Sequence, residues 1–335
     1  GASNTAIGRY ALGTNTTAAN NTAVGMNALA VNTTGTRNTA VGTLSLDANT
    51  TASYNTGVGY SSLSANTTGT ENVAIGDAAL AANTTGTYNV AVGQAALSAN
   101  ITASNNTAVG YASLLANTTG TQNVAVGYLA LDANTTADNN VAVGTNSLSA
   151  NTTGSNSVAV GSGALVTQTT VSNNTAVGIN ALYANTTGTP NVAVGAYALD
   201  ANTTGANNIA VGYAALGANT TASNNTAIGH DTMLMNTTGA QNVAVGALAL
   251  DANVGNPNNT AIGYAAFTTL NGGAENVDAG SSAGSAQTTA SSSTFIGHYA
   301  GVSNTTGSSN TAVGKSALQV NTTGTERTAV GVDSS

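Results

Sequence analysis

Cysteine and tryptophan are absent from this chain, and charged residues make up only 5% of its 335 positions. Without cysteine, neither disulfides nor thiolate metal sites can form. Only four side chains are positive, against 12 acidic ones. This balance argues against nucleic-acid binding, which needs clustered Lys and Arg, and against attraction to an anionic membrane surface. No apolar run reaches the roughly 20 residues of a membrane-spanning helix, so we expect no membrane insertion.

The most abundant feature is a repeat. The motif Asn-Thr-Ala-Val-Gly, or a close variant, returns every 17 residues from Asn4 to Arg327 without insertion or deletion. Complete copies run up to residue 326, and 327–335 is an incomplete final coil. Such strict phase is typical of a solenoid, in which each copy is one coil stacked on the next. We therefore predict a single solenoid domain over 1–335, with about 20 coils of 17 residues.

Within a coil, positions are numbered 1 to 17 from the Asn, and the consensus is N-(T/V)-A-V-G-x-x-A-L-x-A-N-T-T-G-x-x. Glycine fills position 5 in every copy, which indicates a positive φ or a backbone too close to its neighbour for a Cβ. Positions 1–4 predict a short strand because they are rich in β-branched residues, and a second short strand is expected around positions 8–11. The N-T-T-G segment predicts a turn. The predicted fold class is an all-β parallel β-solenoid.

The predicted interior holds columns of Val or Ile from position 4 and Leu from position 9. Stacked Asn amides at positions 1 and 12 are expected to hydrogen-bond from coil to coil. The small Ala at position 3 lies on the opposite strand face from Val in this prediction. Because each coil buries little apolar area against the entropy of ordering its residues, we expect the Ala face to pack on a second copy of the chain.

The repeat is least regular over 259–309. Phe267 replaces the position 9 Leu, Gly284 and Gly301 vacate that position, and Asp278 and Phe295 replace the position 3 Ala. These are the only two Phe residues of the chain. One interpretation is a specialised surface contact at Phe267 and Phe295. The other is drift among repeats, in which each Phe fills space that its neighbours leave.

Tyrosine recurs at position 6, directly after the invariant Gly. Because a Tyr ring has an apolar face and a polar tip, a row of them would suit glycan binding; alternatively, they simply cover the turn. The candidate contact residues are Tyr60, Tyr111, Tyr128, Tyr213 and Tyr264.

Two further interpretations concern the turn. Its Asn-x-Thr segments are acceptors for N-glycosylation, as at Asn32, Asn117 and Asn321, or else only turn formers and amide ladders. Its Thr-Gly-Thr segments, such as 34–36, suit ice binding in some copies and are interrupted in others.

Titratable residues do not converge in the predicted coils. His230 and His298 both occupy position 6, four coils apart, and are expected to be exposed. Aspartate recurs at position 10 in widely separated coils, at Asp47, Asp132, Asp200 and Asp251. Calcium-binding rolls need dense Gly-Asp motifs in successive turns, which are missing. We predict no catalytic, cofactor or metal site, and no enzyme.

The segments Ser157–Gly161 and Asn72–Gly76 read S-V-A-V-G and N-V-A-I-G, each followed by two residues and Ala. They resemble the repeat S-V-A-I-G-x-x-A in the heads of YadA-type trimeric autotransporter adhesins, and the likeness covers positions 1–8 of nearly every copy. It implies a left-handed parallel β-roll that associates as trimers. The Leu and N-T-T-G half, which makes this repeat longer, also resembles repetitive shafts of phage tail fibres.

These resemblances favour a non-enzymatic extracellular structural fibre, forming a filament or an adhesive shaft at the cell surface. The alternatives are a phage tail-fibre shaft on a virion and a glycan- or ice-binding solenoid. The expected partner is the chain itself, as a homotrimer or a head-to-tail polymer, with a host-surface glycan or protein as a second partner. The sequence shows no polar cap at its ends, which suits end-to-end polymerisation or flanking domains.

Overall fold

The computed structural model describes residues 1–335 and contains twenty short strands and no helix. Consequently, no helical segment is present that could cross a membrane. The chain divides into two compact units, residues 1–172 and 173–335, called unit 1 and unit 2 below.

Each unit contains ten strands, one from each coil. Those of unit 1 are β1 (Thr5–Ile7), β2 (Thr22–Val24), β3 (Thr39–Val41), β4 (Thr56–Val58), β5 (Val73–Ile75), β6 (Val90–Val92), β7 (Thr107–Val109), β8 (Val124–Val126), β9 (Val141–Val143) and β10 (Val158–Val160). Those of unit 2 are β11 (Thr175–Val177), β12 (Asn191–Val194), β13 (Asn208–Val211), β14 (Thr226–Ile228), β15 (Val243–Val245), β16 (Thr260–Ile262), β17 (Val277–Ala279), β18 (Thr294–Ile296), β19 (Thr311–Val313) and β20 (Thr328–Val330).

Within each unit, successive strands pair in parallel, and every pair keeps the same register. In unit 1, Ala23 of β2 lies beside Ala40 of β3, and in unit 2, Ala210 of β13 lies beside Ala227 of β14. Each partner is therefore the residue 17 positions further along. This confirms the prediction of a parallel β-solenoid whose coil is one sequence repeat.

The second predicted strand, at positions 8–11, does not form. Positions 7 and 9 instead adopt the left-handed conformation, as at Asn27 (φ 59°) and Leu29 (φ 49°). These residues form a turn, yet they still bond to the neighbouring coils: Leu29 N donates to Ser45 O at 3.1 Å. The prediction is wrong because a coil of this length can close only with a sharp reversal of the chain after the Gly, and a second strand would not provide it.

The interior also differs from the prediction. The interior is lined by Ala from positions 3 and 8 and by Leu from position 9. In the coil that begins at Asn21, these residues are Ala23, Ala28 and Leu29, and all three are fully buried. The position 4 Val or Ile points outward instead and is partly exposed. The Ala face is therefore the lining of the solenoid, and the expected packing of that face on a second copy is wrong.

A narrow interior explains this polarity. The side chains at positions 3 and 9 of one coil meet across it, since a Cβ added to Gly301 would collide with the ring of Phe295. Where position 9 carries Leu, only a methyl group fits at position 3. The strand must therefore turn its larger side chains, at positions 2 and 4, towards solvent.

The invariant Gly satisfies both conditions that the sequence suggests. Gly25 has a φ of 136°, and a Cβ on it would lie 2.5 Å from the carbonyl oxygen of Gly42 in the next coil. Adjacent coils can thus approach closely at this corner only if the residue that faces the next coil lacks a side chain.

Candidate functional site: the outward strand face

The outward side of the strands is a uniform surface in each unit. We call the residues at positions 2 and 4 of all coils the strand face. Every one of them is Thr, Val or Ile, except Ala279, and none is charged. Ile75 is 41% exposed in unit 1, and Ile228 is 40% exposed in unit 2. Each unit therefore presents a row of β-branched side chains to solvent.

Buried Asn side chains brace this face from behind. Asn38, at position 1, donates its backbone N–H to Asn21 Oδ1 of the preceding coil at 2.9 Å. Its own amide Nδ2 donates to Ala52 O, across the same coil, at 2.8 Å. Because each Asn links one coil to the next and also spans its own coil, the strands are held rigidly in register.

Position 12 forms a second Asn ladder. Asn49 Nδ2 donates to Asn32 Oδ1 at 2.8 Å and to Ala52 O at 3.1 Å. The carbonyl of position 15 therefore accepts from both ladders. The predicted coil-to-coil amide stacks at positions 1 and 12 are confirmed.

The second ladder contains the predicted glycosylation residues. Asn32 and Asn117 are fully buried, and Asn117 Nδ2 donates to Asn100 Oδ1 at 3.1 Å and to Gly120 O at 2.9 Å. A sugar on either amide would have to occupy the interior, so the folded coil has no room for it. Asn321 is half-buried and makes the same bonds, to Asn304 Oδ1 at 3.0 Å and Gly324 O at 3.0 Å.

The position 6 tyrosines lie beside the strand face, and all five predicted ones are exposed. In unit 1, Tyr111 and Tyr128 stack with centroids 5.3 Å apart and an interplanar angle of 13°. In unit 2, Tyr213 stacks on His230 at 5.2 Å and 17°, and His230 Nδ1 lies 3.1 Å from Asp231 Oδ2. The structure thus brings neighbouring rings together in adjacent coils.

The two phenylalanines are not surface residues. Phe267 and Phe295 are both fully buried, so the predicted contact at these positions is wrong. Phe267 takes the place of the usual Leu at position 9. Phe295 reaches from position 3 into the space above Gly301, which belongs to the same coil. The alternative interpretation, in which a ring fills vacated space, describes Phe295 correctly.

The position 10 aspartates stay apart, and each carboxyl is half-buried. Desolvation raises the pKa of Asp132 and of Asp251 above the usual 3.8, and backbone N–H groups at each residue and the next oppose that shift. Asp47 and Asp200 show the same upward pKa shift for the same cause. No group of three or more His, Asp or Glu side chains is placed to hold a metal ion. The histidines His230 and His298 are both exposed, in different coils.

In the predicted Thr-Gly-Thr segments, some polar groups are already engaged between coils. Thr36 N donates to Ser53 Oγ at 2.9 Å, and Thr121 Oγ1 donates to Asp138 Oδ1 at 2.9 Å. The preceding Thr34 is exposed. Each unit therefore carries a column of exposed Thr side chains at position 14 of this turn, interrupted only at Gly255 and Gly272 in unit 2. The ice-binding interpretation stays a prediction.

The sequence does not predict the strand face, because its pattern places the position 4 Val or Ile in the interior. The signal that could have found it is the pairing of substitutions: Asp278 with Gly284 and Phe295 with Gly301. Each coil with a large residue at position 3 has glycine at position 9. Such compensation indicates that these two positions share one enclosed space.

Fold and surface together define the class, a β-solenoid repeat protein with an uncharged, β-branched outward face. No family model matches the chain, and no curated protein matches its sequence.

Proposed function

We propose that this chain is a non-enzymatic, extracellular structural fibre protein whose copies associate side by side through the strand face. The observation that carries the proposal is the absence of any charged side chain from positions 2 and 4 in all coils. Its role is mechanical: a filament, or a shaft that spaces an adhesive part from a surface.

The size of the face supports self-association. Ten strands about 4.8 Å apart, each about 10 Å long, cover roughly 480 Å² per unit. That lies within the roughly 300–600 Å² of the largest apolar patch on a typical monomer, which often marks an interaction site. Two such faces in contact bury close to the roughly 1,000 Å² that separates specific interfaces from casual ones.

The chemistry of the face supports a second copy as the occupant. An uncharged surface meets an identical surface without like-charge repulsion. Position 2 carries Thr in some coils and Val or Ile in the others, so two faces can combine apolar burial with hydrogen bonds from the Thr hydroxyls.

The lack of a convergent site supports a non-enzymatic role. One open hollow is lined by Leu318, Val320 and Arg327, and a second by Pro190, Val192 and Ile209. Neither holds a pair of acid–base side chains, which catalysis of most reactions requires.

The test is the native mass of charge-substituted variants. Ile75→Lys with Ile228→Lys places one charge on the strand face of each unit. The matched control, Thr68→Lys with Thr221→Lys, adds the same charge at exposed position 14. We expect wild type and control to sediment as multiples of 32.2 kDa, and the strand-face variant to sediment as monomer. A monomeric wild type, or equal masses for both variants, would contradict the proposal.

Electron microscopy then distinguishes the forms that the fibre takes. Long uniform filaments support a polymer, and discrete rods with a distinct tip support an adhesive or tail-fibre shaft. Globular particles of any size would contradict a fibre.

A second candidate function is glycan binding along the position 6 rings, favoured by the exposed Tyr111–Tyr128 stack. Aromatic rings bind the apolar faces of sugars. A glycan array probed with wild type and with Tyr111→Ala/Tyr128→Ala tests it. Binding that only the wild type shows supports this candidate, and no binding, or equal binding, removes it.

A further inference from the structure

Asp278 is the one carboxyl group placed inside the solenoid. It is the middle residue of β17, at position 3, where it pairs with Ala261 on one side and Phe295 on the other. Its side chain points inward and is fully buried. Most other coils carry Ala at this position.

Three acceptor atoms meet in this coil without a donor. Neither carboxyl oxygen of Asp278 has a hydrogen-bond partner, and Gln287 Oε1 has none either. Both residues border the space that Gly284 leaves open: a Cβ on Gly284 would collide with Asp278 Oδ2 and lie 2.9 Å from Gln287 Oε1. The acid and the amide oxygen therefore flank one small space.

The orientation of Gln287 is fixed by its other bonds. Its Nε2 donates to Asn276 Oδ1 at 3.0 Å and lies 3.5 Å from Ala290 O. Turning the amide over would place Oε1 against these two acceptors, which is unfavourable. Oε1 therefore stays on the side of Asp278 as an acceptor that needs a donor.

No charged group in the packed coils can neutralise a carboxylate here. The interior residues of the preceding coil include Ala261, Phe267 and Leu270. Those of the following coil include Phe295 and Asn304. None of them titrates.

The acidic, basic and histidine side chains nearest in sequence are on the outside. Glu275 and His298 are both exposed, and no Lys or Arg occurs between Arg37 and Lys315. An ionised Asp278 would be an unpaired buried charge, which costs several kcal/mol, so such groups take up a proton instead.

We propose that Asp278 is a neutral carboxylic acid at neutral pH, that its O–H donates a hydrogen bond to Gln287 Oε1, and that coil 276–292 is a pH-sensitive element of unit 2. One proton then turns one carboxyl oxygen into the donor that Gln287 Oε1 lacks, and it removes the negative charge from the other carboxyl oxygen. In agreement, burial raises the pKa of Asp278 well above the usual 3.8.

The direction of the pH effect follows from this arrangement. In the unfolded chain Asp278 titrates with its ordinary pKa of 3.8, whereas the folded coil holds the proton to higher pH. The stabilising contribution is therefore complete below the unfolded pKa and is lost as the pH rises towards the folded pKa. Between the two values, the unfolding equilibrium constant rises about tenfold per pH unit.

The experiment compares wild type with Asp278→Asn, whose amide keeps the shape and donates without titrating. Asp132→Asn, at a half-buried position in unit 1, is the matched control. Infrared spectroscopy at pH 7 should show a protonated carboxylic acid in wild type and the control but not in Asp278→Asn. Hydrogen exchange in 276–292 should accelerate with pH in wild type, beyond its intrinsic chemical rate, and not in Asp278→Asn.

If Asp278→Asn does not fold, Asp278→Ala with Gly284→Leu restores the common residues of both positions and replaces it. Loss of the carboxylic acid signal in that variant supports the proposal. A wild type without a protonated carboxyl at pH 7, or a pH-dependent opening that survives removal of Asp278, would overturn it. These readouts concern one coil and do not depend on self-association.

Discussion

Replacing Phe295 with Ala should open a cavity inside unit 2. The ring is fully buried and fills the space that Gly301 leaves in the same coil. Phe→Ala changes in protein cores cost about 3–5 kcal/mol. Gly301→Leu alone should also destabilise, by about 1–3 kcal/mol or more, because its Cβ would overlap the Phe295 ring and overpacking forces strain.

The double variant should recover most of both losses. It places Ala at position 3 and Leu at position 9, as at Ala312 and Leu318 in the next coil. The backbone already suits the new side chain, since Gly301 has a φ of 57° and Leu318 has a φ of 51°. We expect the double variant to lie within about 1.5 kcal/mol of wild type, as for volume-conserving exchanges.

The assay is hydrogen exchange of the β18 amides under native conditions, which reports the free energy of local opening in a repeat protein that need not unfold in one step. Phe267→Leu, which only restores the common residue at position 9, is the control and should have a small effect. If the double variant is as unstable as the sum of the two single variants, positions 3 and 9 do not share one space, and the explanation of the narrow interior fails.

Three further predictions concern the ladders, the corner and the acidic edge. Asn117→Ala should lower the free energy of unfolding by about 1–3 kcal/mol because it leaves buried hydrogen-bond partners unsatisfied. Chemical denaturation measures this, and the control Thr119→Ala, at an exposed position, should stay within about 0.5 kcal/mol of wild type. Equal effects of the two substitutions would contradict the ladder. Gly127→Ala should lower the melting temperature because its Cβ would lie 2.5 Å from Gly144 O at a φ of 142°; an unchanged melting temperature would refute that close approach. The pKa of Asp251 is raised in the folded state, chiefly by desolvation. Wild type should therefore lose stability relative to Asp251→Asn as the pH rises from 3.8. Thermal melts of both proteins between pH 3 and 7 test this, and a relative loss of stability on lowering the pH would contradict it.

The sequence predicted what depends on neighbouring coils. The repeat length determined the register, glycine at position 5 indicated the close corner, and Asn at positions 1 and 12 indicated the amide ladders. Each of these follows from one residue type recurring directly above itself.

What the sequence did not predict depends on how a single coil closes. Alternation along the strand separates Ala23 from Val24 but does not say which of them faces inward. That choice depends on the width of the interior, which is set by the left-handed turn at Leu29, and residue composition does not predict this turn. The predictions of glycosylation at Asn32 and of a surface contact at Phe267 also required knowing which side chains face inward, and both residues are buried.

The most direct test of this polarity is the difference in melting temperature between Ala74→Lys and Ile75→Lys, two adjacent substitutions in β5. Ala74 is fully buried, whereas Ile75 is 41% exposed. A Lys at position 74 would be an unpaired charge in the interior, which proteins tolerate poorly. We expect Ala74→Lys to melt far below wild type and Ile75→Lys to remain folded; the reverse order would show that Val and Ile, not Ala, fill the solenoid.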